Sequence, residues 1–303
     1  MTSATLHPDE IHSDETLVRH LLTAQFPHWA DLPIVQFTHA GTDNAMYRLG
    51  DHLVARLPRR PSAAAPLAKE LTWLPRIAPD LPLGVPLPIA AGSPSEAFPW
   101  QWSVCQWLDG VCPVAGQVTD PLQLAKDLAR FILDLREIDT ADAPPPGAHN
   151  FWRGVPLAKR DAFTRRAIAE VSDEFDTNAL VSVWEDALNA PNWDHPPTWI
   201  HGDLSAGNLL MTNHRLSAVI DFGGLAIGDP ACDLAVAWSL FEGESRETFR
   251  AANAIGDPAW SRGRGWALSI ALIQLPYYRD TSPQIAKSSR AVIRAVLADS
   301  RVS

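Results

Sequence analysis

The sequence is poor in the residues that would define several kinds of protein. It has three cysteines in 303 residues, Cys105, Cys112 and Cys232, with no C-x-x-C pair among them. Neither a disulfide framework nor a zinc site is indicated, and a reducing compartment is expected. Positive charge is also in deficit: 25 Lys and Arg against 35 Asp and Glu leave a formal net charge of −10. There is no basic footprint for a nucleic-acid backbone or an anionic lipid surface. A long apolar run is missing too, since the greasiest stretch, Trp266 to Tyr278, is interrupted and too short to span a bilayer. Met1 to Glu15 carries acidic residues and no positive-then-apolar leader. These absences predict a soluble cytoplasmic protein with neither nucleic acid nor membrane as partner. No internal repeat is found, and the one biased stretch, the Pro-rich Asp142–Ala148, reads as a linker on composition alone.

What is present suits a folded protein with a sizeable core: 46% hydrophobic and 20% charged residues. At roughly 100–200 residues per domain, the length predicts two domains or two lobes of one. The 26 prolines and 12 tryptophans imply many stiff connections and large flat apolar surfaces. Along the chain, Leu17, Leu21, Leu22 and Phe26 recur at helical spacing behind Asp14, a capping residue. Ile34 to Leu57 then reads as short strands, with turn chemistry at 40–44 and at Gly50-Asp51. A helix over Pro61–Ala78 and strands near Leu87–Ala91 and Trp102–Leu108 complete a strand-rich first third. Helical periodicity dominates afterwards, first along Leu124, Leu128, Phe131, Ile132 and Leu135. Further helices are expected near Leu157–Phe175, Asn178–Leu188, Ala231–Phe241, Trp266–Tyr278 and Gln284–Leu297.

The chemistry concentrates in Trp199–Leu234, WIHGDLSAGNLLMTNHRLSAVIDFGGLAIGDPACDL. Leu209–Thr212 and Leu216–Ile220 predict a hairpin reversing at Asn213-His214. Folding there brings Asn208 near Asp221, and the short loop before it delivers Asp203 to the same end. A hard cation such as Mg2+ takes carboxylate and amide oxygens while keeping waters and phosphate oxygens, so Asn208 and Asp221 are the candidate metal ligands. Asp203 is the candidate catalytic group, able to accept the proton of an attacking hydroxyl. Any one of these residues alone is an ordinary turn former; the spacing of all three outlines a phosphoryl-transfer site.

H-G-D-x-x-x-x-N followed by I-D-F-G resembles the kinase catalytic and metal-binding loops. Gly in place of Arg, together with the later G-D-P-x-x-D-L from Gly228 to Leu234, resembles the aminoglycoside phosphotransferase family, which includes macrolide kinases. GTDNAMYRL, LVARLPRR and WSVCQWLDG occur in that family's order, so the resemblance covers most of the chain. It implies an α+β, protein-kinase-like two-lobed fold. Residues 1–108 would form a nucleotide-binding lobe, a small antiparallel sheet with one helix and a hinge strand. Residues 109–303 would form a larger, mainly helical catalytic and acceptor-binding lobe. His201 would brace the catalytic loop and Asp233 support it. Gly41, Thr42 and Asn44 fall where the family's phosphate-covering loop lies, although a plain hairpin turn reads the same way. Arg56 stands where many kinases have a phosphate-holding lysine, keeping the charge but changing its shape. Glu70 is the helix carboxylate to pair with it, unless it is a solvated surface residue. Gln106 and Leu108 match the hinge whose backbone reads a purine, and Cys105 suits a small apolar wall.

The reaction implied is transfer of the terminal phosphoryl group of ATP or GTP, with Mg2+, to a hydroxyl of a small molecule, foremost an antibiotic such as an aminoglycoside or macrolide. A kinase for a sugar, homoserine or an amino alcohol uses the same site, and a nucleotide-binding pseudokinase scaffold is a third reading. A protein-serine kinase is disfavoured by the missing H-R-D and A-P-E signatures. Acceptor groups are sought after Asp233, where Glu242, Glu244, Glu247 and Asp280 are acidic and Trp260, Trp266, Tyr277 and Tyr278 aromatic. The sequence sets neither the acceptor hydroxyl nor the oligomeric state.

Overall fold

Asp14 starts the first helix as expected: its Oδ1 accepts the Leu17 N–H at 2.8 Å, and α1 (Glu15–Gln25) buries Val18, Leu21 and Leu22. That stripe lands on a sheet of β1 (Ile34–Phe37), β2 (Asn44–Leu49), β3 (Leu53–Pro58), β4 (Pro88–Gly92) and β5 (Trp102–Gln106). The strand order is β1-β2-β3-β5-β4, with every neighbouring pair antiparallel. The computed structural model describes residues 10–37 and 43–299. Its contacts divide the chain into two compact units. One comprises the described residues up to Gly110 together with Ala218–Gly223; the other comprises Val111–Ser217 and the described residues from Gly224 onward.

In the first unit, strand alternation decides which side chains meet which helix. Ala45, Tyr47, Leu49, Ala55 and Leu57 face α1 and form one core with Phe98, Trp102 and Val104. Arg56, whose register partners are Met46 and Ser103, therefore points to the opposite face. There α2 (Pro61–Ile77), on the expected span, presents Leu67, Glu70 and Leu74 to Arg56, Ser103 and Cys105. Pro88 opens β4, an edge strand, where its missing N–H costs the sheet little.

In the second unit, Asp120 caps α3 (Pro121–Glu137) at the Gln123 N–H, 2.9 Å away, and the predicted apolar stripe is buried. The helix expected over Leu157–Phe175 is a 3-10 turn, Leu157–Arg160, running into α4 (Asp161–Glu170). Next come α5 (Thr177–Asn189), β6 (Thr198–Ile200), β7 (Leu209–Thr212), β8 (Arg215–Val219) and β9 (Ala226–Gly228). The β7–β8 hairpin turns on Asn213 and His214, with φ of 50° and 64°, the left-handed pair a tight two-residue turn needs. Pro230–Val236 is a 3-10 helix rather than the α-helix expected, and only α6 (Ala237–Leu240) follows as α-helix. The helix α7 (Gly243–Ala252) was not expected: among apolar residues it buries only Phe249, so it has little apolar content to signal it.

The helix α8 begins at Asp257, not Trp266, and runs to Tyr278; α9 (Pro283–Asp299) follows. The missed half contains Arg262, Gly263, Arg264 and Gly265. All four are buried, because α8 packs against α4, α5, α9 and the 3-10 helix at once. A Cβ on Gly265 would lie 2.6 Å from the Ala187 Cβ, and one on Gly263 2.8 Å from the Leu234 Cβ. The glycines serve close packing despite their helix cost of about 1 kcal/mol each. The Pro-rich stretch at 142–148 links no separate bodies: the second unit contains it, and Pro144 O accepts the Ile227 N–H at 3.0 Å. Among the described residues no helix is long and apolar enough to cross a membrane.

Candidate active site

The second unit carries the loop that holds Asp203. The pairing of β6 with β9, Trp199 opposite Ile227 and Ile200 opposite Ala226, lays the chain entering that loop beside the chain leaving Gly224. The two then touch as bare backbone. Gly202 has φ +79°, and a Cβ there would meet Gly224 O at 2.4 Å. This accounts for glycine at the position where the kinase pattern has arginine.

Asp233, buried on the 3-10 helix, accepts the His201 N–H at 2.7 Å and the Gly202 N–H at 2.8 Å, one on each carboxylate oxygen. Burial pushes its carboxyl up, against the opposing pull of the two N–H donors. His201 is fully buried and its Nδ1 accepts the Asp203 N–H at 3.2 Å, so that nitrogen carries no proton. Both residues thus brace the loop from behind. Asn208 completes it: Nδ2 donates to Asp203 O at 2.8 Å and, at 3.4 Å, to Asp203 Oδ2. The amide nitrogen is committed to the loop, which leaves the oxygen as the end suited to a cation.

Arg153, which the sequence did not single out, is the cation at this loop. Its Nη1 donates to Gly202 O at 2.5 Å and to Asp203 Oδ1. Burial works to raise the Asp203 carboxyl, but the Arg153 guanidinium outweighs it and holds the group below the ordinary carboxylate range. Asn150 locks the segment that delivers Arg153: Oδ1 accepts the Gly147 N–H at 3.0 Å, while Nδ2 donates to Arg153 O at 2.9 Å and Gly224 O at 3.4 Å. No spacing rule points to Arg153; only the W-R-G after a Pro-rich stretch marks the spot.

Asp229, the residue immediately after β9 ends at Gly228, has a scaffold role. Its Oδ1 caps the 3-10 helix at the Ala231 N–H, 3.0 Å away. Buried Arg262 grips both its oxygens, Nε to Oδ2 at 2.7 Å and Nη2 to Oδ1 at 3.1 Å.

The first unit carries Arg56, Glu70 and Asp221. Arg56 Nη1 and Glu70 Oε2 are 2.5 Å apart, with side chains 6% and 2% exposed, so Glu70 is no surface residue. The pair is single-pronged: Arg56 Nε and Glu70 Oε1 have no hydrogen-bond partner among the described residues. Burial pushes the Glu70 carboxyl up against the pull of Arg56, and Glu70 in turn holds Arg56 charged in spite of its burial. Asp221 acts on both members of the pair through its charge. It is exposed and has φ 65°, an uncommon conformation for a non-glycine residue and one that concentrates at functional sites. Beside them Lys69, also unforeseen, donates to Gly223 O at 2.7 Å, and burial lowers its pKa to about 8.

Of the other nucleotide-site candidates, Gly41 and Thr42 lie outside the described residues. Asn44 opens β2 opposite Pro58, with its Oδ1 buried and unpaired among the described residues. The Gln106 N–H is taken by Leu87 O at 2.9 Å and the Trp107 N–H by His52 O at 2.8 Å, so Leu108 is the next N–H along the hinge segment. Cys105 is buried and burial raises its thiol pKa, as suits a wall residue rather than a nucleophile. Among the acceptor candidates, Glu242, Glu244, Glu247 and Asp280 are exposed, whereas Trp260 and Trp266 belong to the core. Trp266 lies under the Arg160 guanidinium, 4.9 Å from its ring centre.

The loop thus presents a half-exposed, cation-held aspartate, Asp203, backed by glycine-tight backbone and followed by a committed asparagine. The model of the phosphotransferase enzyme family, APH, matches residues 34–266, and the chain belongs to that family. It is accordingly a small-molecule phosphotransferase with an alcohol group as acceptor. Solved structures share the protein-kinase-like fold. The GDP and kanamycin complex of APH(2")-IIIa is 18% identical, with a TM-score of 0.73 over 93% of this chain and 98% of that one. Macrolide 2'-phosphotransferase MphH from Brachybacterium faecium is 24% identical, with a TM-score of 0.61 over 92% of this chain and 98% of that one. The gentamicin–APH(2")-IIa complex is 19% identical, with a TM-score of 0.63 over 95% and 99%. No curated protein matches the chain.

Proposed function

We propose that this enzyme transfers the terminal phosphoryl group of ATP or GTP to a hydroxyl of an antibiotic of the aminoglycoside or macrolide kind. The reading rests on one observation above the others: Asp203 is held by Arg153, His201 and Asn208 while Asp233 anchors the loop behind it. In this reading Asp203 accepts the proton of the acceptor hydroxyl as the oxygen attacks phosphorus. Residues 1–108 serve the nucleotide, with Arg56, oriented by Glu70, on its phosphates. The loop at Gly41, Thr42 and Asn44 covers those phosphates, and the backbone at Gln106 and Leu108 meets the purine. Residues 109–303 supply the acceptor side, and the enzyme works in the cytoplasm, where its three thiols stay reduced.

Among the described residues no group of three or more His, Cys, Asp or Glu side chains is placed to hold a metal. The donor set of one amide and one carboxylate, Asn208 and Asp221, fits Mg2+, which keeps waters and phosphate oxygens as its remaining ligands. When bound, Mg2+ supplies positive charge to the phosphate oxygens.

The test incubates the purified protein with Mg2+, ATP or GTP, and a panel of aminoglycosides and macrolides. Acceptor-dependent release of nucleoside diphosphate and a phosphorylated product by mass spectrometry are expected, with turnover in Asp203→Ala reduced about 10²–10⁴-fold. Turnover with sugars or amino alcohols and with no antibiotic would replace this reading by a metabolite kinase. Tight nucleotide binding with no turnover on any acceptor would replace it by a scaffold.

A further inference from the structure

Resting on the catalytic role proposed for Asp203, we propose that Arg153 is the positioning residue of the transfer step: it fixes Asp203 Oδ1 so that Oδ2 is the oxygen that receives the acceptor's proton.

The bonding pattern makes the assignment. One guanidinium nitrogen, Nη1, spans Asp203 Oδ1 and the carbonyl oxygen of the preceding residue, Gly202. A contact to backbone and side chain of one loop fixes the rotation of the carboxylate as well as its place. The other oxygen, Oδ2, has only the long Asn208 contact, 3.4 Å, among the described residues, so it is the one open to a substrate hydroxyl. Asp203 is 46% exposed at its side chain while Arg153 is only 12% exposed, so the cation holds the carboxylate from inside the unit and leaves its outer edge accessible.

The segment carrying Arg153 is built for this delivery. Phe151 and Trp152 have φ of 53° and 58°, two bulky residues in succession in the left-handed region. Each is a disfavoured conformation for a residue with a side chain and persists only where its surroundings over-determine it. Here they do: the Phe151 N–H bonds to Ala148 O, the Trp152 N–H to Gly147 O, and the Arg153 N–H to Asn150 O. Asn150 ties both ends of the turn together, and Arg160 Nη1 donates to Phe151 O at 3.1 Å. The strain gains no burial, since Phe151 and Trp152 are 66% and 54% exposed. What it achieves is to aim the next side chain at Asp203. In the step itself the acceptor O–H proton passes to Asp203 Oδ2 as the new O–P bond forms, and the bond from the terminal phosphorus to its bridging oxygen breaks, releasing nucleoside diphosphate.

The experiment compares wild type, Arg153→Ala, Arg153→Lys and Asp203→Asn, using whichever antibiotic of the panel is turned over. Arg153→Ala is expected to lose about a hundredfold in kcat, the scale of a small misplacement of a reacting group. Its acceptor and nucleotide KM should stay within about threefold, because positioning acts on the step and not on binding. Guanidinium ion added at millimolar levels should restore part of the Arg153→Ala turnover and leave wild type unmoved, and Arg153→Lys should fall between the two. A residue that merely holds the fold would instead lower the melting temperature, raise both KM values and resist rescue. That outcome, or an unchanged kcat, would overturn the assignment. Full turnover in Asp203→Asn would be a different failure, removing the catalytic role on which the inference rests.

Discussion

Gly202→Ala separates two costs that a glycine at a functional loop can conceal. The first is conformational: at φ +79° an alanine pays about 1–2 kcal/mol for the left-handed region. The second is steric: the new Cβ would stand 2.4 Å from Gly224 O, a backbone atom that cannot swing aside as a side-chain tip can. Overpacking of that kind costs about 1–3 kcal/mol. Gly116 isolates the first cost, since it has φ +74° in an exposed turn and nothing within 4 Å of the position a Cβ would take. Gly116→Ala should therefore lose about 1–2 kcal/mol, and Gly202→Ala about 2–5 kcal/mol. At ~2–4 °C per kcal/mol in units of this size, the melting temperature should fall roughly 2–8 °C in the first and roughly 4–20 °C in the second. Gly224 O also accepts from Asn150 Nδ2, so relief of the clash disturbs the segment that carries Arg153, and turnover should fall with stability only in Gly202→Ala. Equal melting temperatures for the two variants, with full turnover in both, would refute the close-approach reasoning.

Three further outcomes follow from the buried charges. Glu70→Leu leaves the Arg56 guanidinium buried without its carboxylate and should cost about 3–5 kcal/mol, whereas adding Arg56→Met should recover most of that loss in thermal melts. If Arg56 holds phosphate as proposed, the double variant recovers stability without recovering nucleotide affinity by titration calorimetry. Arg262→Lys gives up the two-pronged grip on Asp229 and should lose about 1.5–3 kcal/mol in denaturant unfolding, with the nucleotide KM unchanged. Lys69, with a pKa lowered to about 8, binds its proton more weakly folded than unfolded, so native stability should rise with pH from about 8 toward the unfolded value near ~10.4. Melts across that range should show this slope in wild type, and Lys69→Met should lose it.

What the sequence made legible was whatever depended on near neighbours. The turn at Asn213-His214 needs two left-handed residues between alternating apolar runs, and that pattern placed the hairpin within a residue of its observed strands. The six residues from Asp203 to Asn208 form a self-contained loop, which the structure closes with the bond from the Asn208 amide to Asp203 O. The pairing of Glu70 with Arg56, expected from the family resemblance, is set in the structure by strand alternation, which turns Arg56 away from the α1 core. The failures share a cause. The first half of α8 carries glycine and arginine where packing on several sides demanded them, so it has no amphipathic stripe to detect. Arg153 reaches Asp203 from fifty positions earlier in the chain, and its aim is set by backbone strain that no propensity scale rewards. A motif therefore records the groups that must stand at fixed spacing within one loop. The cation that orients them can come from any segment the fold brings alongside, and here it comes from a turn that the composition marks only as irregular.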